Sequence, residues 1–220
     1  MRIKNLKKGF EELTKEKARL IAHLIGDGCV YKVKTNYNIK YEVKDKELLQ
    51  QFEEDIVSVY GLPVIKGFNP SGKTGELIPL VLLRSKKAFE DLKKYCEYAS
   101  ATWWVPIQIL EAKEDIKREF LKSLFDDEGT VVKEHKRTVI RLYSINENGL
   151  KTIQAMLEEF GIKSKLISGY GCKRNVYAVV IRDSLSFKTK IGFYLARKQD
   201  KYEGRKIEHA PSSQSPPSRI

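Results

Sequence analysis

Two acidic residues, Asp27 and Glu128, each stand immediately before a glycine at the end of an apolar segment, 101 residues apart. The run before each pair has helical spacing, so Gly28 and Gly129 are expected to close two helices. A helix C-terminus carries partial negative charge, and a carboxylate there costs a few tenths to ~1 kcal/mol. A divalent cation would offset that cost. Carboxylates beside free carbonyls are also the hard oxygen ligands that magnesium prefers. Small residues in these segments, Ala22, Gly26 and Ser123, would let the two helices approach closely. Packed side by side, the helices would bring both acids to one end of their interface. Phosphodiester hydrolysis with two metals ~4 Å apart needs that arrangement. The simpler reading is two ordinary helix caps, each with an incidental surface acid.

The acids belong to a longer repeat. Tyr60-Gly61-Leu62 recurs as Phe160-Gly161-Ile162, and Val81-Leu82-Leu83-Arg84 with Phe89 recurs as Val179-Val180-Ile181-Arg182 with Phe187. Three matches in one order argue for duplication. Each half reads α-β-β-α-β-β-α. Asn38 to Lys44 alternates, with Ile39, Tyr41 and Val43 on one face, so that sheet is half buried. Strands are expected near 64–69, 77–84, 131–134, 137–144, 164–169 and 176–182, and a helix near 86–98. The fold class is α+β, with two pseudo-symmetric halves of antiparallel sheet. The first half covers 1–105 and the second 106–198, divided at Trp103-Trp104-Val105-Pro106. A basic, then Ser/Pro-rich tail, expected to be mobile, covers 199–220.

Composition narrows the partner. The chain has 220 residues, is 41% hydrophobic and carries a net charge of +12, which suits a polyanion. No apolar run approaches the ~18 residues of a spanning helix, so no membrane is expected. The N-terminus lacks the apolar core of a signal peptide. Cys29, Cys96 and Cys172 form no C-x-x-C pair, which fits a reducing compartment and excludes a zinc ribbon. His23, His135 and His209 have no metal-ligand spacing, and Gly171 to Arg174 is not a phosphate-binding loop.

LIAHLIGDG at 20–28 and LKSLFDDEG at 121–129 resemble the two motifs of single-chain LAGLIDADG homing endonucleases, and the resemblance covers roughly 10–195. It implies motif helices at a pseudo-twofold interface and two sheets forming a saddle over double-stranded DNA. It also implies Asp27 and Glu128 as catalytic metal-binding acids, with the preceding residues, Gly26 and Asp127, contributing carbonyls. The implied cofactor is Mg2+, with Mn2+ able to substitute. The implied molecule is a monomer resembling archaeal intron-encoded members, expected in a prokaryotic cytoplasm, with organellar encoding as the alternative. The first motif departs from the pattern at Ile25, where the family has an acid, and at His23, where it has an apolar residue. His23 is expected to pack at the interface. The family often places a lysine where sheet meets motif helix. Lys44 fills that place in the first half, whereas the repeat step lands on Ile145 or Ser144 in the second. Lys133 and Lys136 are the alternatives there.

The outer strand faces are the expected DNA surface: Lys32, Lys34, Asn38, Lys40 and Lys66 in the first half, and Arg137, Arg141, Tyr143, Lys165, Lys173 and Arg174 in the second. Trp103 and Trp104 are expected to anchor the linker. Two rivals share the fold: a maturase that binds intron RNA, and a DNA-binding protein without cleavage. Retention of both acids favours cleavage.

Overall fold

The computed structural model describes residues 6–203 except 73, 135–136 and 172–173. Helix α1 (Lys15–Ile25) begins where the Thr14 hydroxyl accepts the Lys17 amide hydrogen, removing one of the unpaired donors of a helix start. Strands β1 (Gly28–Val33) and β2 (Asn36–Glu42) follow, then α2 (Lys46–Tyr60), β3 (Ile65–Pro70), β4 (Leu77–Arg84) and α3 (Lys86–Lys93). After the short α4 (Ile107–Leu110), the order repeats as α5 (Glu114–Glu128), β5 (Gly129–Glu134), β6 (Arg137–Ser144), α6 (Glu147–Glu159), β7 (Ser164–Tyr170), β8 (Val176–Ile181) and α7 (Ser184–Lys190). Helix α8 (Ala196–Glu203) closes the described chain. Two differences from the expected elements stand out. Helix α3 stops at Lys93, short of Tyr98. The segment from 199, expected as a mobile tail, opens as part of α8, and residues from 204 lie outside those described.

The duplication is visible in the topology: both sheets are antiparallel, in the orders β1-β2-β4-β3 and β5-β6-β8-β7. Register assigns the faces, because partners across a ladder point the same way. Val30, Ile39 and Leu83 form one row. Ile140 and Ile181 belong to the equivalent row of the second sheet. These residues face the helices and enter the main core with Tyr41, Phe52, Phe125 and Leu142.

Helices α1 and α5 pack against each other at the centre of the molecule. Arg19 ties them to α2, with Nε 2.9 Å from Asp55 Oδ2 and Nη1 2.8 Å from Glu119 Oε2. The linker is anchored by Trp103, whose ring lies on Gly149. A Cβ there would sit 2.5 Å from the ring, so only glycine fits. Trp104, by contrast, is 47% exposed. Among the described residues no helix is long and apolar enough to cross a membrane.

Candidate active site

The motif glycines serve close approach rather than left-handed capping. A Cβ at Gly28 would lie 2.8 Å from the Leu24 Cα and 2.9 Å from the His23 carbonyl oxygen, and one at Gly129 would strike the Phe125 carbonyl. Gly129 has φ −85° and ψ 146°, an extended conformation. The ordinary cap reading therefore fails for both pairs. The two acids are not quite equivalent: Glu128 ends α5, whereas α1 stops at Ile25 and Asp27 lies in the turn before β1.

The two motif ends are in close contact at the seventh motif position. A Cβ on Gly26 would lie 2.7 Å from both Cβ and Oδ2 of Asp127. The Asp127 carboxylate is buried and held from the first half. His23 Nδ1 lies 3.0 Å from Oδ2, and the Tyr41 hydroxyl donates to Oδ1 at 2.5 Å. His23 is fully buried. Burial, the largest single influence, would lower its pKa, but the charge and hydrogen bond of Asp127, with the charges of Asp126 and Asp55, together raise it. His23 thus sits in the interface, as expected, but as a polar partner. The second motif's Asp127 and the first motif's His23 replace an apolar contact with a charge-assisted one.

Two cavities flank these helix ends. The first, of about 510 Å3, is lined by Asp27, Lys44, Asp45, Asp126, Asp127 and Arg197, with Glu42 and Ile78 from the outer sheet face. The second, of about 280 Å3, is lined by Glu128, Gly26, Ile25, Trp103, Ile145 and Leu150, with Tyr143 and Val176 from the outer face. Each cavity therefore combines the acid of one motif with the seventh residue of the other. Much of each wall is the repeat equivalent of the other, yet the first is mostly charged and the second, Glu128 apart, is uncharged and mostly apolar.

Burial first, and then the charge of Asp127, pushes the Asp27 carboxyl up from 3.8 to about 6. Burial first, then Asp27 and Asp127, pushes Glu128 from 4.5 to about 7. Asp27 is exposed while Glu128 is half-buried. Water therefore screens the charge of Asp27 more than that of Glu128. Burial and, behind it, neighbouring negative charge disfavour both ionised carboxylates, a cost that a bound cation would relieve. Among the described residues, no three His, Cys, Asp or Glu side chains are gathered as a metal cluster. A cation here would need carbonyl, water or phosphate oxygens as well as these carboxylates, which is the usual coordination of magnesium in phosphate chemistry.

Lys44 lines the Asp27 cavity, and its exposed Nζ pairs with Glu76 Oε2 at 2.5 Å. Its repeat equivalent, Ile145, is 43% exposed in the Glu128 cavity. Lys133 pairs in register with Thr138, on the helix-bearing face, and Lys136 lies outside the described residues.

Three of the expected DNA contacts need correction. Asn38 is only 5% exposed, and its amide donates to the Asn36 carbonyl, so it is not on an open reading surface. Lys32 shares a row with Tyr37 on the helix-bearing face and lies over that ring at 5.0 Å. Lys66 shares a row with Val81, also on the helix-bearing face, and pairs with Glu53 of α2 at 2.6 Å. The alternation was read correctly for β2, but the parity of β1 and β3 depends on register, which sequence did not supply. Lys40, Arg137, Arg141, Tyr143 and Lys165 do lie on the outer faces. Lys34 and Arg174 occupy turn tips with φ of 53° and 52°. Lys173 lies outside the described residues. Several outer-face groups are already paired: Lys40 with Glu42 at 2.8 Å, Asn69 with the same carboxylate at 2.9 Å, and Arg141 with Glu134.

Sequence reasoning missed Asp126, Asp45, Arg197 and Lys198. Asp126 is buried and accepts the amides of Tyr194 and Leu195 at 2.9 and 3.2 Å. Burial raises its pKa to about 6 against those bonds. Its place at the sixth motif position was the available signal; nothing in the sequence pointed to the other three.

A LAGLIDADG-like domain family model matches residues 115–191. Two uncharacterized proteins of Methanocaldococcus jannaschii are similar to the chain. MJ1054 is 24% identical over 87% of this chain and 22% of its own length. MJ0314 is 26% identical over 79% of this chain and 63% of its own. The chain thus spans between about a fifth and two thirds of these relatives. Among solved structures, I-DmoI in complex with DNA and manganese matches with a TM-score of 0.60 at 20% identity, over 82% of this chain and 98% of the other. The homing endonuclease I-WcaI, bound to its DNA recognition sequence, matches at 0.64 and 18% identity, over 86% of each chain. The N-terminal LAGLIDADG domain of WhiA matches at 0.55 and 13% identity, over 90% of each. Paired motif helices and duplicated four-stranded sheets give the chain the fold of these solved structures, and its second half carries a LAGLIDADG-like domain.

Proposed function

We propose that the chain is a site-specific endonuclease that makes a double-strand break in a long DNA target, using a divalent metal to hydrolyse the phosphodiester bonds. The observation that carries this reading is the placement of Asp27 and Glu128 at adjoining ends of packed motif helices. Each acid opens into a cavity on its sheet's outer side, and both are electrostatically frustrated in a way a cation would relieve. Because both acids come from one chain, a monomer suffices.

The carboxylates of Asp27 and Glu128 and the carbonyls of Gly26 and Asp127 would hold magnesium, with manganese as a substitute. When bound, the metal supplies Lewis-acid stabilisation of phosphate charge and a more acidic attacking water. The chain's own residues do the positioning. Lys40, Arg137, Arg141 and Lys165 neutralise and orient the duplex from the outer faces, so affinity should fall steeply with salt. Lys44, released from Glu76, would stabilise charge developing on the phosphate at the Asp27 cavity.

The test is incubation of the protein with a library of long randomised duplexes and magnesium, followed by sequencing of the cut ends. A single recurrent site is expected, lost with chelator and lost in Asp27→Asn while DNA binding persists. A maturase, or a protein that only binds DNA, would leave every duplex uncut.

A further inference from the structure

Helix α8 packs on the second half and reaches the first through one side chain. Lys198 is only 4% exposed. Its Nζ donates to the carbonyls of Phe125 at 2.9 Å and Gly129 at 2.6 Å, and also to that of Asp126. A cation at a helix C-terminus matches the macrodipole. Here it is supplied from 70 residues downstream of Glu128 rather than from the motif itself. Asp126 reinforces the attachment by binding the two amides that lead into α8. The last turn of α5 and the first turn of α8 are thus stitched together in both directions.

The next contact is with the opposite half. Arg197 binds Asp45 through Nε–Oδ1 at 2.9 Å and Nη2–Oδ2 at 2.7 Å, a bidentate pair. Asp45 stands at the N-cap of α2 but its side chain makes no capping bond to its own helix. It lines the cavity of Asp27 and Lys44, as does Arg197. The repeat equivalent of Asp45 is Asn146, which caps α6 and donates its amide to the Trp103 carbonyl. The corner between sheet and helix is therefore latched in each half by the segment that ends the other half. Only at the Asp27 cavity is the latch ionic.

We propose that α8 is a cross-half clasp that positions the cleavage centre: Lys198 fixes the end of α5 that carries Glu128, and Arg197 fixes the Asp45 corner beside Asp27 and Lys44. Neither is a catalytic residue. The inference rests on the endonuclease reading and predicts that the two contacts serve different strands. A clasp that only stabilised the fold would weaken both cuts together.

The experiment uses the full chain with Lys198→Met, Arg197→Gln, and the reference variants Glu128→Gln and Asp27→Asn. It compares strand-resolved cleavage, DNA affinity in calcium, and amide exchange without DNA. Lys198→Met should slow the strand lost in Glu128→Gln by about tenfold or more, the scale of a misplaced catalytic group. Arg197→Gln should act likewise on the strand lost in Asp27→Asn. DNA affinity should hold within about threefold, since the outer faces are untouched. Amide exchange should quicken at residues 125–130 in Lys198→Met and at 45–48 in Arg197→Gln. Equal slowing of both strands, or unchanged exchange, overturns the clasp. Should Lys198→Met fail to fold, the surface-accessible Arg197→Gln and Asp45→Asn carry the same comparison, and a loss on both strands in them overturns the proposal. A wild-type chain that cuts nothing overturns the endonuclease reading instead, and the exchange pattern, which needs no DNA, still decides the clasp.

Discussion

Gly26 and Asp127 occupy the seventh position of the two motifs, and the absent side chain of one is filled by the side chain of the other. This contact sets how closely α1 and α5 approach. Gly26→Ala would place a Cβ 2.7 Å from Asp127 Cβ and force the helices apart. Thermal or denaturant unfolding should show a loss of about 1–3 kcal/mol, the usual cost of overpacking. Unchanged stability would mean that the helices slide freely at this point.

The buried partners of Asp127 should be worth more than their contact area. Tyr41→Phe removes a hydroxyl that donates to Oδ1 and leaves His23 as the remaining partner. The expected loss is about 1–3 kcal/mol, because a buried carboxylate loses a charge-assisted bond. His23→Leu should cost more, since it removes the counter-charge as well. Urea titration of both variants ranks them, and the reverse ranking would place the main support of Asp127 on Tyr41.

Burial and, behind it, the charges of Asp27 and Asp127 give stability a definite pH dependence through Glu128. Its carboxyl is pushed up to about 7 in the folded chain from an ordinary 4.5. The neutral form is thus the one folding favours. The penalty is absent below about pH 4.5, grows as pH rises, and is complete above about pH 7. Glu128→Gln should therefore stabilise the metal-free protein at pH 8, by about 1–2 kcal/mol once solvent screening is allowed for. Near pH 4 the two proteins should melt alike. Adding magnesium should raise the melting temperature of the wild type more than that of the variant, by linkage. A pH-independent difference would show that the Glu128 charge is not strained.

The unequal cavities predict unequal strand cleavage. Lys44 stands in the charged cavity and Ile145 in the apolar one. A time course on supercoiled plasmid carrying the target should show a nicked intermediate broken in one strand. Lys44→Ala should slow the strand served by Asp27 by about 10- to 1000-fold, the range for a lost charge-stabilising donor, with a smaller effect on the other. Equal rates for both strands in wild type and variant would assign Lys44 to phosphate binding alone.

The sequence by itself determined the duplication, the element order and the two acids. Those follow from local chemistry: Gly61 in the left-handed conformation closes α2, alternation in β2 sorts Ile39 and Tyr41 inward, and acid-glycine pairs recur at a fixed step. Strand existence was legible, but the facing of Lys32 and Lys66 was not, because one residue of register reverses a side chain's face. Nor could local pattern foresee that Asn38, on the outer face, is buried and bonded to the Asn36 carbonyl. The partners of Asp127 lie 104 and 86 residues away, and Arg197 meets Asp45 across 152. Such pairings are decided only when two halves dock and buried charge must find a counter-charge. Tertiary structure alone decided that one cavity is ionic and the other apolar, because it joins residues from both repeats and from a helix that neither repeat predicts.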